Sequence, residues 1–221
     1  MYVPEHFRMS DAAEMHALMR ARPLATLVSA GPAGLMATQL PTVLKTEGDH
    51  GVIECHLARA NPHWKDLAAA SEALMIFHGP DGYITPNWYP SKADHQKVVP
   101  TWNYATVHAY GAPRIRQDRD WLLAHVAELT DQQEAIGQSA GGASPWKVTD
   151  APPAFVEVML RGIVGFRFEI ARLEGKQKMS QNRELRDVQG VAEGLARRAQ
   201  GDDAETARRV ANFATDLSKS G

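Results

Sequence analysis

The run from Val98 to Gly111, VVPTWNYATVHAYG, concentrates rings, an amide and hydroxyls where an ordinary buried strand would use aliphatic residues. Extended, Thr101 to Tyr110 places Trp102, Tyr104, Thr106, His108 and Tyr110 on one face and Asn103, Ala105, Val107 and Ala109 on the other. A surface of flat rings with amides and hydroxyls close by suits a planar heteroaromatic ligand. The same pattern fits a half-exposed strand with aromatic cross-strand pairs, and the run alone does not separate the two.

Four further blocks are as unusual: MYVPEHF at the start, HLARANPHWK from His56 to Lys65, GPDGYITPNWYPSK from Gly79 to Lys92, and KQKMSQNR from Lys176 to Arg183. Together with VVPTWNY, and in this order, they resemble the FMN-binding negative transcriptional regulators of the PaiB type over most of residues 1–195. The resemblance implies an FMN-binding split barrel, FMN as cofactor, and a homodimer with the cofactor between protomers. It also implies a flavin-dependent or redox-linked regulatory role. One departure is Cys55, directly before HLARAN, where the family leads one to expect a small residue such as glycine.

FMN asks a protein to hold a dianionic phosphate, a hydroxylated chain, and a flat ring with one polar edge. Arg59 and Lys65, around the turn introduced by Asn61 and Pro62 and followed by Trp64, offer cations and helix-start N–H groups to the phosphate. The plain alternative is a strand-to-helix turn with solvated cations. In the Gly79–Lys92 block, Thr85 and Ser91 offer hydroxyls, Lys92 a second cation, and Trp88 or Tyr89 a ring cover held outward by Pro86 and Pro90; a rigid hairpin tip would look the same. Lys178, Gln181, Asn182 and Arg183 supply dense donors, and the resemblance implies that they complete the site across a dimer; a polar linker is the alternative. Thr38 and Gln39 are assigned to the polar ring edge, and Trp102 and Asn103 join the cofactor set from the aromatic strand.

No side chain declares itself an acid, base or nucleophile, so enzymatic activity stays open. The alternatives to a regulator are an FMN oxidoreductase of the pyridoxamine-phosphate-oxidase or flavin-reductase type, and a heme-binding split barrel. The nine histidines contain no HxxxH, and His56, His63 and His78 fall on different elements, so no metal site is read.

Positioning elements follow from periodicity. Asp11 and Glu14 form a capping-box pair ahead of Met15, Leu18 and Met19, a short helix stopped by Pro23. Leu24–Ala30 and Leu35–Leu44 form a hairpin around GPAG, and strands follow at Val52–Leu57 and Ala73–Phe77, with a helix near His63 between them. Ile163–Leu173 alternates as the last barrel strand, and helices are expected over about Asp118–Ala135 and Pro152–Leu160. Residues 137–145 are glycine-rich and read as a mobile loop. The fold class is α+β, an antiparallel split β-barrel with peripheral helices. The expected division is a barrel domain over 1–183 and a C-terminal extension over 184–221, two helices broken near Gly201.

Bulk composition narrows the rest. The chain has 221 residues and no apolar run near the ~20 that span a bilayer, so no membrane partner is expected. Its start lacks a basic-then-apolar signal, which makes the cytoplasm the expected location. A single cysteine, inside an apolar run, reads as a buried inert thiol. A net charge of −2 does not support DNA as a partner. Arg197, Arg198, Arg208 and Arg209 are the local exception, read first as a solvated helical face.

Overall fold

In a computed structural model, residues 1–32, 34–138 and 144–219 are described. Most of the glycine-rich stretch 137–145 therefore lies outside the described residues. The strands are β1 (Arg8–Met9), β2 (Leu24–Gly31), β3 (Gly34–Pro41), β4 (Val43–Lys45), β5 (Val52–Ala58), β6 (Ala73–Ile84), β7 (Thr101–Arg116) and β8 (Ile163–Lys178). The helices are α1 (Ala12–Ala21), α2 (His63–Ala69), α3 (Lys92–His95), α4 (Arg119–Gln138), α5 (Pro153–Arg161), α6 (Leu185–Arg198) and α7 (Asp203–Lys219). The strands form one sheet in the order β3-β2-β6-β7-β8-β5-β4, with β1 paired to β8.

Two compact units divide the chain. The first comprises Met1–Met15, His78–Val107 and Glu174–Gly221; the second comprises His16–Phe77 and His108–Leu173. In the first, β1 pairs antiparallel with the end of β8, Arg8 opposite Lys176 and Met9 opposite Gly175. In the second, β2 pairs antiparallel with β3 and with β6, while β5 pairs antiparallel with β4 and β8.

Local chemistry explains most boundaries. Asp11 caps α1, its Oδ1 accepting from the Ala13 N–H at 2.8 Å, and Met15, Leu18 and Met19 are buried as their spacing predicts. The expected single strand Leu35–Leu44 breaks into β3 and β4, because the Thr42 N–H and hydroxyl both turn to the Pro23 carbonyl, at 2.9 and 2.7 Å. The strand expected to end at Phe77 continues as β6 through Gly79, Pro80 and Gly82 to Ile84, so half of that glycine- and proline-bearing block is sheet, not irregular loop. The last strand likewise runs past Leu173 to Lys178. On β7 the small set Asn103, Ala105, Val107 and Ala109 is buried, while Trp102, Tyr104, His108 and Tyr110 are half-buried or exposed; Thr106 alone departs, buried with the small set.

Helix α6 is fitted to one aromatic side chain. A Cβ at Gly194 would stand 2.2 Å from the Trp88 ring, and one at Gly190 2.1 Å from the Trp88 carbonyl oxygen. The break between α6 and α7 falls at Ala199 and Gly201, both left-handed, with φ of 49° and 51°. Asp203 closes the turn by accepting from the Arg198 guanidinium and from the Gln200 N–H.

In the second unit α4 carries a stacked pair that joins it to β5. Trp121 lies over His125 with ring centroids 5.2 Å apart and planes 12° apart. His125 Nε2 is 3.1 Å from Nδ1 of His56 on β5. Ile53, Cys55 and Leu57 take the opposite face of β5 and are buried; burial pushes the Cys55 thiol well above its usual range, as an inert thiol requires.

Two outcomes follow. Helix propensity alone favours alanine over glycine by about 1 kcal/mol, yet Gly190→Ala and Gly194→Ala should each lower the stability by about 1–3 kcal/mol from overpacking, read as a lower denaturant midpoint. Burial, then the neighbouring His56 and Lys45, hold His125 down at about 3 against an ordinary 6.5. Between those values the unfolded chain binds the proton and the folded chain does not, so stability falls as pH drops through that window. The loss from this residue should reach roughly 2 kcal/mol at pH 5, and denaturation series on His125→Gln should show a flatter pH profile.

Candidate functional site

The first unit gathers a cationic cluster. Lys176 and Lys178 are two apart on β8, and the Lys178 ammonium donates to the Thr101 hydroxyl. Beyond the strand, Ser180 adopts a left-handed φ of 67°. That turn is pinned from both sides. Asn103, fully buried, donates from Nδ2 to the Ser180 hydroxyl at 3.0 Å. Gln181 Oε1 accepts from the Met179 N–H, and its Nε2 donates to the Gln177 carbonyl, both at 2.6 Å. Arg183 leaves the turn with its guanidinium 5.0 Å from the centre of the Tyr89 ring, and the Tyr89 hydroxyl is buried with no hydrogen-bond partner among the described residues. Asn182 is exposed beside it.

The electrostatics of this cluster are one-sided. Burial, then the charges of Lys176 and Arg183, depress the Lys178 pKa. Among the described residues none of these three cations pairs with a carboxylate; Lys176 instead donates to the Tyr2 carbonyl at 3.3 Å and faces the rings of Tyr2 and Tyr104. Uncompensated, partly buried positive charge is the condition an anion relieves. In the same unit Trp102 is 54% exposed and meets Tyr83 edge to face at 5.9 Å, leaving indole surface free. Lys176 was not among the sequence candidates, although the Lys-Gln-Lys spacing on a strand places both ammonium groups on one face.

The remaining candidates of this unit serve its own packing. Trp88 packs on α6 under the Arg198 guanidinium, 5.1 Å from its ring, instead of turning outward to cover a ligand. Thr85 caps the turn Pro86–Trp88 by accepting from the Asn87 N–H, and Lys92 donates to Asn87 Oδ1 at 2.8 Å. Ser91 is buried against α6, its hydroxyl and N–H donating to the two oxygens of Asp187 at 2.6 and 3.0 Å. The arginine patch is similarly occupied: Arg197 faces Glu193, Arg198 pairs with Asp203, and Arg209 pairs with Glu205 and donates to Gln177.

The second unit collects Thr38, Arg59, Asn61, Trp64 and Lys65 around a residue the sequence did not single out. His63 is fully buried, and its ring nitrogens meet the hydroxyls of Ser29 at 2.9 Å and Thr38 at 2.8 Å. Asn61 donates to Thr38 at 3.3 Å and accepts from the His63 N–H at 3.0 Å. Burial lowers the His63 pKa, with Asp66 opposing, so the ring works as a neutral bridge. Only the hydroxyl residues of distant strands reveal that role, and no spacing in the chain announces it. Arg59 spends three of its donors on the Arg161 and Ile163 carbonyls and on Gln117 Oε1, at 2.8–2.9 Å, and its own carbonyl accepts from the Trp64 indole at 3.1 Å. Lys65 is exposed, its ammonium 5.9 Å from the Trp64 ring centre. Gln39 is exposed on β3.

The sheet order and flanking helices define an α+β protein of the antiparallel split-barrel class. Two solved structures share that fold at 15% identity and a TM-score of 0.55: the flavocytochrome Anf3 from Azotobacter vinelandii, covering 80% of this chain and 72% of that one, and the FAD and heme binding protein from Mycobacterium smegmatis, covering 77% and 73%. Within the class, the chain belongs to the family described as "Putative FMN-binding domain", whose model matches residues 1–172. It is 32% identical over 220 residues to the Bacillus subtilis protein named protease synthase and sporulation protein PAI 2, covering 99% of both chains.

The cationic cluster makes a testable demand. Inorganic phosphate at about ten times its dissociation constant should raise the melting temperature by about 3–6 °C, near 1.4 kcal/mol. Lys178→Met, which removes one of three repelling charges, should melt no lower than the parent in phosphate-free buffer and lose most of that gain.

Proposed function

We propose that this protein binds FMN, with the phosphate at Lys176, Lys178 and Arg183. We infer further that it acts as a cytoplasmic, homodimeric, flavin-linked negative regulator of transcription. The observation that carries the cofactor assignment is the set of three cations without a carboxylate among the described residues, set against the rings of Tyr2, Tyr104 and Tyr89, with the exposed Trp102 indole in the same unit. The donor chemistry fits the group: ammonium and guanidinium for phosphate, the exposed amide of Asn182 for hydroxyls, and the Trp102 face for a flat ring. Bound FMN would supply one- and two-electron redox chemistry, while the chain's residues bind and orient it. Membership of the FMN-binding family supports the flavin, and the resemblance to PaiB-type proteins supports the regulatory role. No helix among the described residues is long and apolar enough to cross a membrane, which agrees with a cytoplasmic setting. Among the described residues two N–H groups of Arg59 and the Lys65 ammonium have no hydrogen-bond acceptor, which keeps the turn after β5 as the rival phosphate position.

The test is the visible spectrum of the purified chain, before and after FMN addition. A flavin double band is expected, with affinity reduced at least tenfold in Arg183→Ala and little changed in Arg59→Ala. The reverse ranking would move the phosphate to the turn after β5. A chain that takes up no flavin under either condition would refute the cofactor assignment.

A further inference from the structure

In the second unit, α4, α5 and the end of β5 line a half-open cavity of about 270 Å³ that none of the proposed flavin residues lines. Its walls are apolar, formed by Val126, Trp146, Phe155, Val156 and Met159 among others, and no charged side chain contributes. Two polar side chains reach it. The Thr130 hydroxyl donates back to the Val126 carbonyl at 2.7 Å, which uses its hydrogen. The other is His56, whose Nδ1 is taken by His125.

The histidine pair decides what His56 presents. His125 Nδ1 is buried without a partner among the described residues. A buried N–H without an acceptor is rarer than a lone pair without a donor, so the proton of His125 belongs on Nε2, where it is donated to His56 Nδ1. His56, neutral because burial lowers its pKa, then carries its own hydrogen on Nε2, which has no partner among the described residues. Apart from the Trp146 indole at its half-exposed mouth, this apolar, uncharged lining offers one N–H, that of His56, and so recognises a neutral apolar body with one acceptor. A dry cavity of ~150 Å³ admits benzene, so this one has room for a second ring.

We propose that this cavity is a binding site for a neutral one- or two-ring aromatic compound bearing a single carbonyl oxygen, which accepts from His56 Nε2–H. Rings of Trp146 and Phe155 at its half-exposed mouth supply flat contact area for such a body. The site is independent of the flavin assignment and is occupied whether or not FMN is bound.

The probe is 1-indanone, titrated into the full chain with and without FMN and followed by calorimetry and by heteronuclear NMR. Saturable binding is expected, with shifts at Thr130, Met159 and the Trp146 indole. Indane, the same body without the oxygen, should bind about fivefold more weakly, the value of one net hydrogen bond. Val156→Trp, which fills the cavity, should weaken indanone at least tenfold; if circular dichroism shows that variant unfolded, Met159→Trp fills it from another wall. Equal affinity for indane would overturn the role of His56. Absence of saturable binding would overturn the site, and Phe155→Asp turning a dimer into a monomer would then give this face to a second copy of the chain.

Discussion

A strand paired on both edges has no freedom in where its side chains go: each successive residue must take the opposite face. That constraint governs β7, which lies between β6 and β8 in the sheet order. Because Asn103, Ala105, Val107 and Ala109 are buried, Trp102, Tyr104, His108 and Tyr110 are left on the more open face. The same rule on β8 sends Lys176 and Lys178 together, and Asn103, from the buried set of β7, joins Gln181 in holding the turn after them through Ser180. Aromatic surface and uncompensated cations therefore share an origin in register, not in the loops.

The distribution of charge sharpens that contrast. Elsewhere arginines are answered locally: Arg119 by Glu157, Arg167 by Glu47 and Glu54, Arg186 by Asp94 and Glu184, Arg198 by Asp203. A chain of net charge −2 has carboxylates enough to answer Lys178 as well. Leaving it among two other cations in partial burial costs stability in the free protein, a cost that a bound anion would relieve.

Much of this was legible from the chain and some was not, for physical reasons. Period-two alternation marked β7 and the first part of β8, and side-chain chemistry marked Asp11 as a cap. The strand expected to end at Phe77 runs on through the glycines and proline of Gly79–Ile84, where sheet pairing overrides local preference. The reading of KQKMSQNR as a donor-rich block agrees with the cluster, though Lys176 was passed over. Trp88 and Ser91 looked like ligand contacts because the helix that absorbs them, α6, lies about a hundred residues away in sequence. Thr38 and Asn61 are engaged by His63 for the same reason: hydroxyl, amide and imidazole come together only after strands pair.

The composition of the first unit also orders events in time. Residues 16–173 contain all of the second unit, so its contacts can close while the chain is still being made. The first unit cannot, since Met1–Met15 waits for the segment beginning at Glu174, to which it is tied through the β1 ladder, the Met1–Glu174 ion pair and the Gln177–Glu14 hydrogen bond. At about 5–20 residues per second, translation of the intervening residues 16–173 lasts roughly 8–32 s. For that interval Phe7, Met9 and Met15, all buried in the finished protein, lack their closing strand. Until then the apolar side chains of the N-terminal segment stay open to solvent, and the second unit has its full set of residues before the first does.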